Sequence, residues 1–362
     1  MKVAFIGNIR SKCGVAIYNE LLFNALGKEV ETKFFAEKNG EEDTKNIQYC
    51  WDREEFPKLE LIEAIDNYKP DIVLFSHEYG LFQKAYFFTS LVSYFRLRGY
   101  KVVTIFHSIY ENHKDKLVTE SVCKNIVAHS EEARAALIRK GLNPENINVV
   151  PHGCSFATSE NKILPKLWNH LGNDHVVLQA GFLFYYKSHL HMLDVIKDLK
   201  SKYKDILYVI VASENPLCKD EHNKLHKEIC EKIESLDLTH NVIIDRGFVS
   251  HSVLMSYIRT SSVFVLPYKP DPEFDVYAAS GMARVALQTS TPLITSNANL
   301  FNGMEKVAVA CSSKEQWVKE ISDIFEGKFD KAKMINDREK FLEENSWSNC
   351  SKKLLNIFKS AK

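Results

Sequence analysis

Short apolar runs alternate with amphipathic stretches along the chain, and this alternation is the feature that most limits the possible folds. In the first half, the runs have the length and composition of buried parallel strands, and they lie at residues 3–6, 34–35, 72–75, 102–106, 126–128 and 147–150. Helical spacing of apolar residues separates them, at residues 15–26, 59–68, 87–96 and after the predicted cap Ser130. Strands that alternate with helices predict a parallel sheet covered on both faces.

The alternation breaks once and then restarts. Residues 155–174 have little periodicity and predict a linker, whereas residues 37–55 are polar and predict no element. After the break, strands are predicted at residues 176–180, 206–212, 242–244, 263–266, 293–295 and 307–310, and helices at 189–202, 221–236, 252–259, 281–289 and beyond 314. The class is therefore α/β, with two Rossmann-like domains that we expect to face each other across a cleft.

Composition narrows the range of partners. Among the 362 residues, Lys and Arg together number 47 and so do Asp and Glu, which gives no general attraction to nucleic acid. A local basic groove would suffice for nucleic acid, so that alternative stays open. The eight cysteines are scattered, no run reaches the ~18–20 apolar residues of a membrane span, and the first residues lack a signal-peptide core. We expect a cytoplasmic protein with reduced thiols.

The sequence gives only weak support for metal binding. His222 and His226 have the H-x-x-x-H spacing on a predicted helix, but no cluster of cysteines and histidines matches the ligand spacing of a structural zinc site. We therefore predict neither a metal site nor a bound cofactor.

The stretch from 263 to 297 contains the strongest anion-binding signal. A buried strand leads through a loop rich in proline and acids to Ser280 and Gly281, which open a helix. Unpaired backbone N–H groups and the helix dipole favour an anion at such a step. Ser280, Gly281 and Met282 are therefore predicted to bind the phosphates of a nucleotide-bound donor substrate, to which the rest of the chain would bring an acceptor. Glu273 and Asp275 in the loop are candidates for sugar hydroxyls, although solvated loop acids are the more common case.

Polar residues follow three predicted strands of the first half. The first loop ends at Gly14 and fits neither the dinucleotide fingerprint nor the phosphate-binding P-loop, although Gly14 lets a ligand approach the backbone closely. His77 and Glu78 follow the strand at 72–75, and His107 follows the strand at 102–106. Ligands in such sheets bind beyond the carboxyl ends of strands, so these side chains are candidates for sugar or acceptor contacts. A lone histidine at a strand end is more often structural.

Lys187 is the candidate cation of the second half. It lies between the strand at 176–180 and the helix at 189–202, where a positive charge opposes the helix dipole and so suggests an anionic partner such as a diphosphate. A surface lysine without a function is the alternative. The turn Pro151-His152-Gly153 is interpreted as the start of the linker rather than as part of the chemistry.

The helix at 85–98 is unusually aromatic, with several basic residues near its end. Most of its aromatic side chains are expected in the core. If some are exposed, peripheral contact with a membrane or a lipid-linked acceptor becomes an alternative.

With these motifs in view, the chain resembles the retaining glycosyltransferases of the GT-B fold, close to family four, over nearly its whole length. The resemblance rests on the segments 13–21, 76–82, 104–107, 147–153 and 181–187, on Pro267-Tyr268, Ser280-Gly281 and Pro292, and on the helix from Trp347. It implies an N-terminal, acceptor-side domain of residues 1–155 with a returning helix at about 345–362. It implies a C-terminal nucleotide-sugar donor domain of residues 156–344.

The resemblance also implies the chemistry. A hexose would pass with retention from a nucleotide diphosphate sugar to a hydroxyl acceptor, without a metal, and His107 and Lys187 would be the catalytic residues. The family often carries two glutamates eight positions apart in its donor region, where this chain has Tyr277 and Val285, and Phe182 stands near the place of a usual arginine. Tyr277 is therefore a further candidate contact. A non-catalytic nucleotide-sugar binding module and a nucleotide-sugar epimerase remain alternatives.

Overall fold

Contacts divide the chain into two compact units. The computed structural model describes residues 1–82, 84–110, 124–156, 175–214, 218–269 and 276–361. The first unit takes the described residues of Met1–Cys154, Pro272–Gly281 and Asn345–Lys362, and the second takes those of Ser155–Asp271 and Met282–Glu344. Residues 276–281 thus cluster with the first unit, although the predicted boundary assigns them to the C-terminal domain.

The first unit is built on a seven-stranded parallel sheet. Its strands are β1 Lys2–Gly7, β2 Glu31–Glu37, β3 Ile47–Trp51, β4 Ile72–His77, β5 Lys101–Phe106, β7 Ile126–Ala128 and β8 Ile147–Val149. Their order is β3-β2-β1-β4-β5-β7-β8. A separate antiparallel pair joins β6 Ser108–Tyr110 to β13 Val276–Ala278. The strand order reverses between β1 and β4, which is where open α/β sheets place their ligands.

The second unit has a six-stranded parallel sheet in the order β11-β10-β9-β12-β14-β15. Its strands are β9 Val176–Phe182, β10 Leu207–Ser213, β11 Val242–Arg246, β12 Val263–Leu266, β14 Leu293–Ser296 and β15 Val309–Cys311. Here the order reverses between β9 and β12. By the same rule, a ligand of each unit is expected beyond the carboxyl ends of its strands at this reversal, and we call that place the crevice of the unit.

Helices cover the sheets of both units. In the first unit they are α1 Gly14–Leu26, α2 Leu59–Tyr68, α3 Ala85–Leu97, α4 Glu131–Arg139 and α11 Trp347–Ser360. In the second unit they are α5 His189–Lys202, α6 Lys219–Ser235, α7 His251–Thr260, α9 Lys314–Phe325 and α10 Lys331–Glu344. Helix α8 Gly281–Ala286 begins on Gly281, the last residue of the middle segment of the first unit, and its other residues belong to the second unit. Short 3₁₀ turns occupy Pro144–Asn146, Tyr185–Lys187 and Asn299–Phe301. Among the described residues, no helix is long and apolar enough to cross a membrane.

The sequence patterns predicted most of these elements. The helices at 59–68 and 189–202 and the strand at 263–266 are confirmed, and Ser130 caps α4 by accepting a hydrogen bond from the backbone N–H of Ala133 at 3.1 Å. The expectation that residues 37–55 form no element is wrong, because β3 lies there. Trp51 at its end is fully buried and donates its indole N–H to the carbonyl of Phe35 at 3.0 Å. The helix predicted at 281–289 ends at Ala286.

The first turn of the chain depends on a glycine. A Cβ at Gly7 would lie 2.8 Å from Nδ2 of Asn19 and 3.1 Å from Cβ of Ser76. The Asn19 amide in turn donates to the carbonyl of Asn8 at 2.8 Å. Glycine at the end of β1 therefore allows α1 to pack directly beside β1 and β4, and this packing sets the shape of the crevice.

Gly153 likewise allows the returning helix, α11, to pack closely. A Cβ at this position would lie 2.3 Å from Cε3 of Trp347, the first residue of α11. Gly153→Ala is therefore expected to displace the indole and to lower the free energy of unfolding by about 1–3 kcal/mol, as overpacked core sites do. Thermal unfolding measures the effect. Gly80→Ala is the control because no heavy atom of the described residues lies within 4 Å of its added Cβ. Equal melting temperatures for the two variants would contradict the steric account.

Candidate functional site

Aromatic and imidazole rings gather at the carboxyl edge of the first sheet. Tyr18 on α1 is 2 % exposed, and its ring centroid lies 4.6 Å from that of His107 and 5.3 Å from that of His129. It lies 4.9 Å from His152 and 5.1 Å from Trp347. The three histidines follow β5, β7 and β8, so the parallel topology brings them to one edge. We call these five residues the ring cluster.

His107 is the member best placed for hydrogen bonding. Its Nε2 lies 2.7 Å from Oγ of Ser76. Within the described part of the chain, its other ring nitrogen, Nδ1, makes no hydrogen bond. Its pKa lies well below the ordinary value, first because the ring is buried and then because protonated His129 and His152 would repel its charge. A neutral imidazole with one nitrogen held by a hydroxyl can exchange a hydrogen bond with a ligand through the other.

His77 and Glu78 have different surroundings although they are neighbours. The His77 ring is 1 % exposed and lies among aromatic rings, with centroid distances of 4.4 Å to Phe88 and 4.8 Å to Phe106. A sugar hydroxyl could reach it only if that packing opened. Glu78 is half-buried and accepts a hydrogen bond from the hydroxyl of Ser108 at 2.7 Å. Of the pair, Glu78 is the one that retains a polar, partly exposed carboxylate at the crevice.

The burial of His77 predicts a pH-dependent stability. Burial lowers its pKa to about 3, whereas the unfolded chain takes up a proton near pH 6.5. Between these two pH values, the unfolded state binds more protons than the folded state. The contribution of the neutral His77 ring to the free energy of unfolding is therefore complete above pH 6.5 and is lost as the pH falls towards 3. The loss is up to about 1.4 kcal/mol per pH unit. His77→Phe should therefore reduce the difference between urea unfolding free energies at pH 7 and pH 5 by up to about 2 kcal/mol.

His240→Gln is the matched control for this experiment, because His240 is exposed. Its pH dependence should equal that of the wild type. An unchanged slope in His77→Phe would show that the ring is protonated in the folded protein.

The predicted phosphate step lies close to the ring cluster within the first unit. A Cβ at Gly281 would lie 3.8 Å from Nε2 of His152. Ser280 is 5 % exposed. Tyr277 lies on β13, opposite Ile109 of β6, and its hydroxyl accepts a hydrogen bond from Arg139 at 3.2 Å. The structure thus brings Gly281 to His152, while Tyr277 contacts α4.

Three other predicted residues complete the account of the candidates. Gly14 is exposed at the start of α1, and a Cβ built there has no heavy atom within 4 Å among the residues that the structure describes. Met282 is half-exposed and belongs to the second unit. Glu273 and Asp275 lie outside the described residues. No group of three His, Cys, Asp or Glu residues arranged for a metal occurs in the described ranges.

Lys187 occupies the crevice of the second unit. It is 7 % exposed, and its ammonium group donates to the hydroxyl of Tyr268 and lies 3.8 Å from that ring's centroid. Tyr268 follows β12, and Lys187 follows β9, so the two meet at the reversal of strand order. In the described part of the second unit, Lys187 makes no ion pair with a carboxylate. The alternative of an idle surface lysine does not fit this burial.

The backbone around Lys187 is built to hold its side chain. Gln179 donates its amide to the carbonyl of Lys187 at 2.7 Å, and Lys269 donates its N–H to the carbonyl of Tyr186 at 2.7 Å. Gly181 has a φ of +135°, and a Cβ there would lie 3.2 Å from the Lys187 ammonium. A side chain at Gly181 would therefore crowd the cation as well as strain the backbone.

Burial sets the electrostatics of this crevice. It lowers the pKa of Lys187 to about 7, because a charged ammonium loses its hydration there. The adjacent His189 is 3 % exposed, and burial, followed by the neighbouring Lys187, lowers its pKa to about 3. The two groups together form a position that an anion would stabilise, since an anion would raise the pKa of Lys187 and restore its charge.

Several members of these sites were not among the predicted site residues. Tyr18, Tyr268 and His152 lie in segments that carry the family resemblance but were given no role of their own, His152 being interpreted as part of a turn, and His129 lies in none of those segments. His129 and Tyr268 each follow a predicted strand directly or within two residues, so the rule that selected His107 would also have selected them. Tyr18 had no local signal, because its importance comes from the packing of α1 against three strand ends.

Comparison with known sequences covers nearly the whole chain. The profile described as Glycosyltransferase Family 4 matches residues 33–157, and the profile described as Glycosyl transferases group 1 matches residues 161–341. The chain belongs to the glycosyl transferases group 1 family. The resemblance to glycosyltransferases is thus confirmed, and the protein is a glycosyltransferase. Among curated proteins, no sequence matches this chain.

Solved structures share the fold of this glycosyltransferase. A glycosyltransferase from Rickettsia africae has a TM-score of 0.78 at 17 % identity. The match covers 99 % of this chain and 98 % of the Rickettsia chain. HepE from Anabaena, crystallised with UDP and glucose, has a TM-score of 0.74 at 14 % identity, with 99 % and 100 % covered. The trehalose-6-phosphate synthase OtsA has a TM-score of 0.77 at 12 % identity, with 100 % of both covered. These similarities confirm two Rossmann-like domains of the GT-B fold.

Proposed function

We propose that this glycosyltransferase moves a hexose from a nucleotide diphosphate sugar to a hydroxyl acceptor, with retention and without an obligatory metal. The observation that carries the proposal is Lys187, a buried lysine without a carboxylate partner in the described part of its unit, at the crevice between β9 and β12. Such a cation suits an anionic ligand. HepE was crystallised with UDP and glucose and with UDP-glucose, and a further similar structure from E. coli is bound with UDP-2-fluoro glucose. A uridine diphosphate sugar is therefore the first donor to test.

Lys187 would act on the leaving group. As the bond between the sugar and the diphosphate breaks, negative charge grows on the departing phosphate oxygen. A preorganised ammonium in a site with little water stabilises that charge more than it stabilises the bound donor, and this difference lowers the barrier. The hydroxyl of Tyr268 holds the ammonium in place through its hydrogen bond. Lys187 therefore needs no metal beside it to neutralise part of the charge.

Residues of the first unit would handle the sugar. His107 has one nitrogen fixed by Ser76 and the other available for a sugar hydroxyl. We assign Ser280 and Gly281 to the phosphates through their backbone N–H groups, with Gly14 leaving space at the start of α1. The six-residue helix that begins at Gly281 has a smaller dipole than the predicted nine-residue one, so the local N–H groups would contribute most of the attraction.

Calorimetric titration with UDP and UDP-glucose, followed by analysis of the products, tests the proposal. Binding with release of UDP in the presence of an acceptor supports transfer, and NMR of the product's anomeric centre tests retention. Binding without UDP release would favour the binding module. Conversion of the sugar nucleotide without an acceptor would favour the epimerase. Loss of activity in EDTA, with recovery on adding a divalent cation, would overturn metal independence.

A further inference from the structure

A glutamine lies in the middle of an otherwise apolar strand of the second unit. Gln179 on β9 is fully buried, and the residues on either side of it, Leu178 and Ala180, are buried and apolar. Burying an amide costs free energy unless its oxygen and its NH₂ group find hydrogen-bond partners. An apolar side chain would pack here without that cost, so the hydrogen bonds of Gln179 need an explanation.

Gln179 connects the core of the unit to the turn that carries Lys187. Its Nε2 donates to the carbonyl of Lys187 at 2.7 Å, and its Oε1 accepts a hydrogen bond from the hydroxyl of Tyr208 on β10. A carbonyl can only accept, so the NH₂ group must face Lys187 and the amide oxygen must face Tyr208. Tyr208 is fully buried, and this burial holds the pKa of Tyr208 well above its ordinary value. Its hydroxyl therefore keeps the proton that it donates.

Lys187 is thus held at both ends. Its carbonyl is held by Gln179 from the core, and its ammonium donates to the hydroxyl of Tyr268 at the crevice. The backbone between these contacts is a short 3₁₀ turn, Tyr185–Lys187, followed by Ser188 with a φ of +56°. A serine seldom adopts this left-handed conformation without support from its surroundings. Loss of the contact to the carbonyl would therefore let the turn relax and carry the ammonium away from Tyr268.

We propose that Gln179 is a positioning residue for Lys187, and that its hydrogen bond to the Lys187 carbonyl holds the ammonium where a donor diphosphate would contact it. Tyr208 orients the amide of Gln179 and so acts on the same turn from one residue further away. The diphosphate contact rests on the proposed function, whereas the effect of Gln179 on the ammonium does not. The two are therefore measured separately, with UDP and without it.

The measurement without UDP is the titration of the Lys187 ammonium in the full chain. It is followed through the carbon NMR signal of Lys187 Cε, which is assigned by its absence in Lys187→Ala. Gln179→Met keeps the bulk of the side chain but cannot donate to the carbonyl. Water should then reach the ammonium, and the titration midpoint should rise by at least about one pH unit. Tyr208→Phe frees the amide to rotate and should raise the midpoint by roughly half as much.

UDP is the probe for the diphosphate contact. Its affinity is measured by calorimetry at pH 6, where an ammonium with a pKa of about 7 is charged. Gln179→Met should weaken UDP binding roughly tenfold, because a displaced ammonium makes a poorer charged hydrogen bond. In Gln179→Met/Lys187→Ala, the change relative to Lys187→Ala should stay below about twofold, since a positioning residue acts only through the residue that it positions.

Asn241→Leu is the matched control. Asn241 is buried and donates Nδ2 to the carbonyl of Ile206 at 2.8 Å, so this variant also removes a buried hydrogen bond from a side-chain amide to a backbone carbonyl. The two residues directly precede β11 and β10, at the edge of the sheet opposite the crevice. The variant should lower the melting temperature, as Gln179→Met does, but should leave the Lys187 titration and the UDP affinity unchanged.

The outcomes separate this inference from the proposed function. A wild-type midpoint and a wild-type UDP affinity in both Gln179→Met and Tyr208→Phe would overturn the positioning role alone. An equal loss of UDP affinity with and without Lys187 would also overturn it, because the amide would then act without the lysine. Absence of UDP binding in the wild type, together with a raised midpoint in the variants, would overturn the donor proposal alone. If Gln179→Met does not fold, Tyr208→Phe decides by the same criteria, since it removes only a hydroxyl group.

Discussion

Replacing Lys187 by alanine is expected to lower kcat/KM for sugar transfer by about 10²- to 10³-fold, as the loss of a preorganised donor to a developing charge does in other enzymes. The ammonium is buried, and its only hydrogen-bond partner within the described part of the second unit is the hydroxyl of Tyr268. Removing it would leave the departing diphosphate without that stabilisation. Steady-state kinetics with UDP-glucose and an identified acceptor would measure the effect, with Lys306→Ala, an exposed lysine of the same unit, as the control.

The pH dependence of UDP binding tests the same residue independently of catalysis. With a pKa of about 7, free Lys187 has lost most of its proton above pH 8, whereas the bound diphosphate raises that pKa. Binding must then take up a proton, so the affinity should fall by up to about tenfold per pH unit between pH 7.5 and 9. The diphosphate itself is fully ionised in this range and adds no slope.

Lys187→Arg should remove that slope, because a guanidinium stays protonated throughout the range. Calorimetry in buffers of different ionisation enthalpy counts the protons taken up. Uptake close to zero at pH 8.5 in the wild type would mean that Lys187 is already charged in the free protein or does not bind the diphosphate. The first result would overturn only the lowered pKa of Lys187, whereas the second would remove the electrostatic role assigned to it.

The strands were predictable because their signal is local. A parallel strand covered on both faces must be apolar along its length, and runs such as residues 176–180 and 263–266 show this directly. The edge strand β3 escaped prediction for the opposite reason. Its sequence mixes Ile47 and Trp51 with the polar Gln48, and only its pairing with β2 reveals that Trp51 is fully buried. An edge strand has one neighbour and so a weaker pattern.

Pairing between segments that are far apart in the sequence is a second reason why some strands cannot be predicted from it. Strands β6 and β13 are three residues each, and they pair although more than 160 positions separate them along the chain. A segment of three residues carries no periodicity, so no window of sequence predicts it. This pairing is also what associates residues 276–281 with the first unit.

The sequence predicts which residues follow the strand ends, but it does not predict how buried these residues are or what they contact. The rule that ligands bind beyond strand ends selected His77, His107 and Lys187 from the sequence. It did not distinguish the fully enclosed His77 from His107, whose Nδ1 makes no hydrogen bond within the described residues. Nor did it show that Lys187 is buried, because its neighbour Tyr268 lies 81 positions away. Burial and pKa depend on contacts between distant segments, and these exist only in the folded chain.

Arg338 should make the largest contribution to stability of any single polar side chain considered in the second unit. It lies on α10, is 2 % exposed, and donates Nη1 to the carbonyls of Thr289 and Thr291 at 2.8 and 2.7 Å. Its Nε is 3.5 Å from the carbonyl of Val307. Burial lowers its pKa to about 10, so the guanidinium still carries its charge at neutral pH. It thus satisfies backbone groups of the turn between α8 and β14.

Arg338→Met keeps the length and bulk of the side chain but leaves these carbonyls without a donor. Each buried carbonyl that loses its partner costs about 1–3 kcal/mol, so a loss of about 3 kcal/mol in unfolding free energy is expected. For a unit of this size, that loss corresponds to a melting temperature lower by about 6–12 °C. The melting temperature of Arg338→Lys should lie between those of the wild type and Arg338→Met, since an ammonium has fewer donors to share among the carbonyls.

Lys340→Met provides the matched control, because Lys340 is exposed on the same helix and the substitution removes one charge in the same way. Its melting temperature should stay within about 2 °C of the wild type, as surface substitutions usually do. Equal melting temperatures for Arg338→Met and Lys340→Met would contradict this prediction. The carbonyls of Thr289 and Thr291 would then have to accept hydrogen bonds from water once the guanidinium is removed. Backbone hydrogen exchange in residues 283–291 would show that opening directly, because a turn that admits water loses its protection.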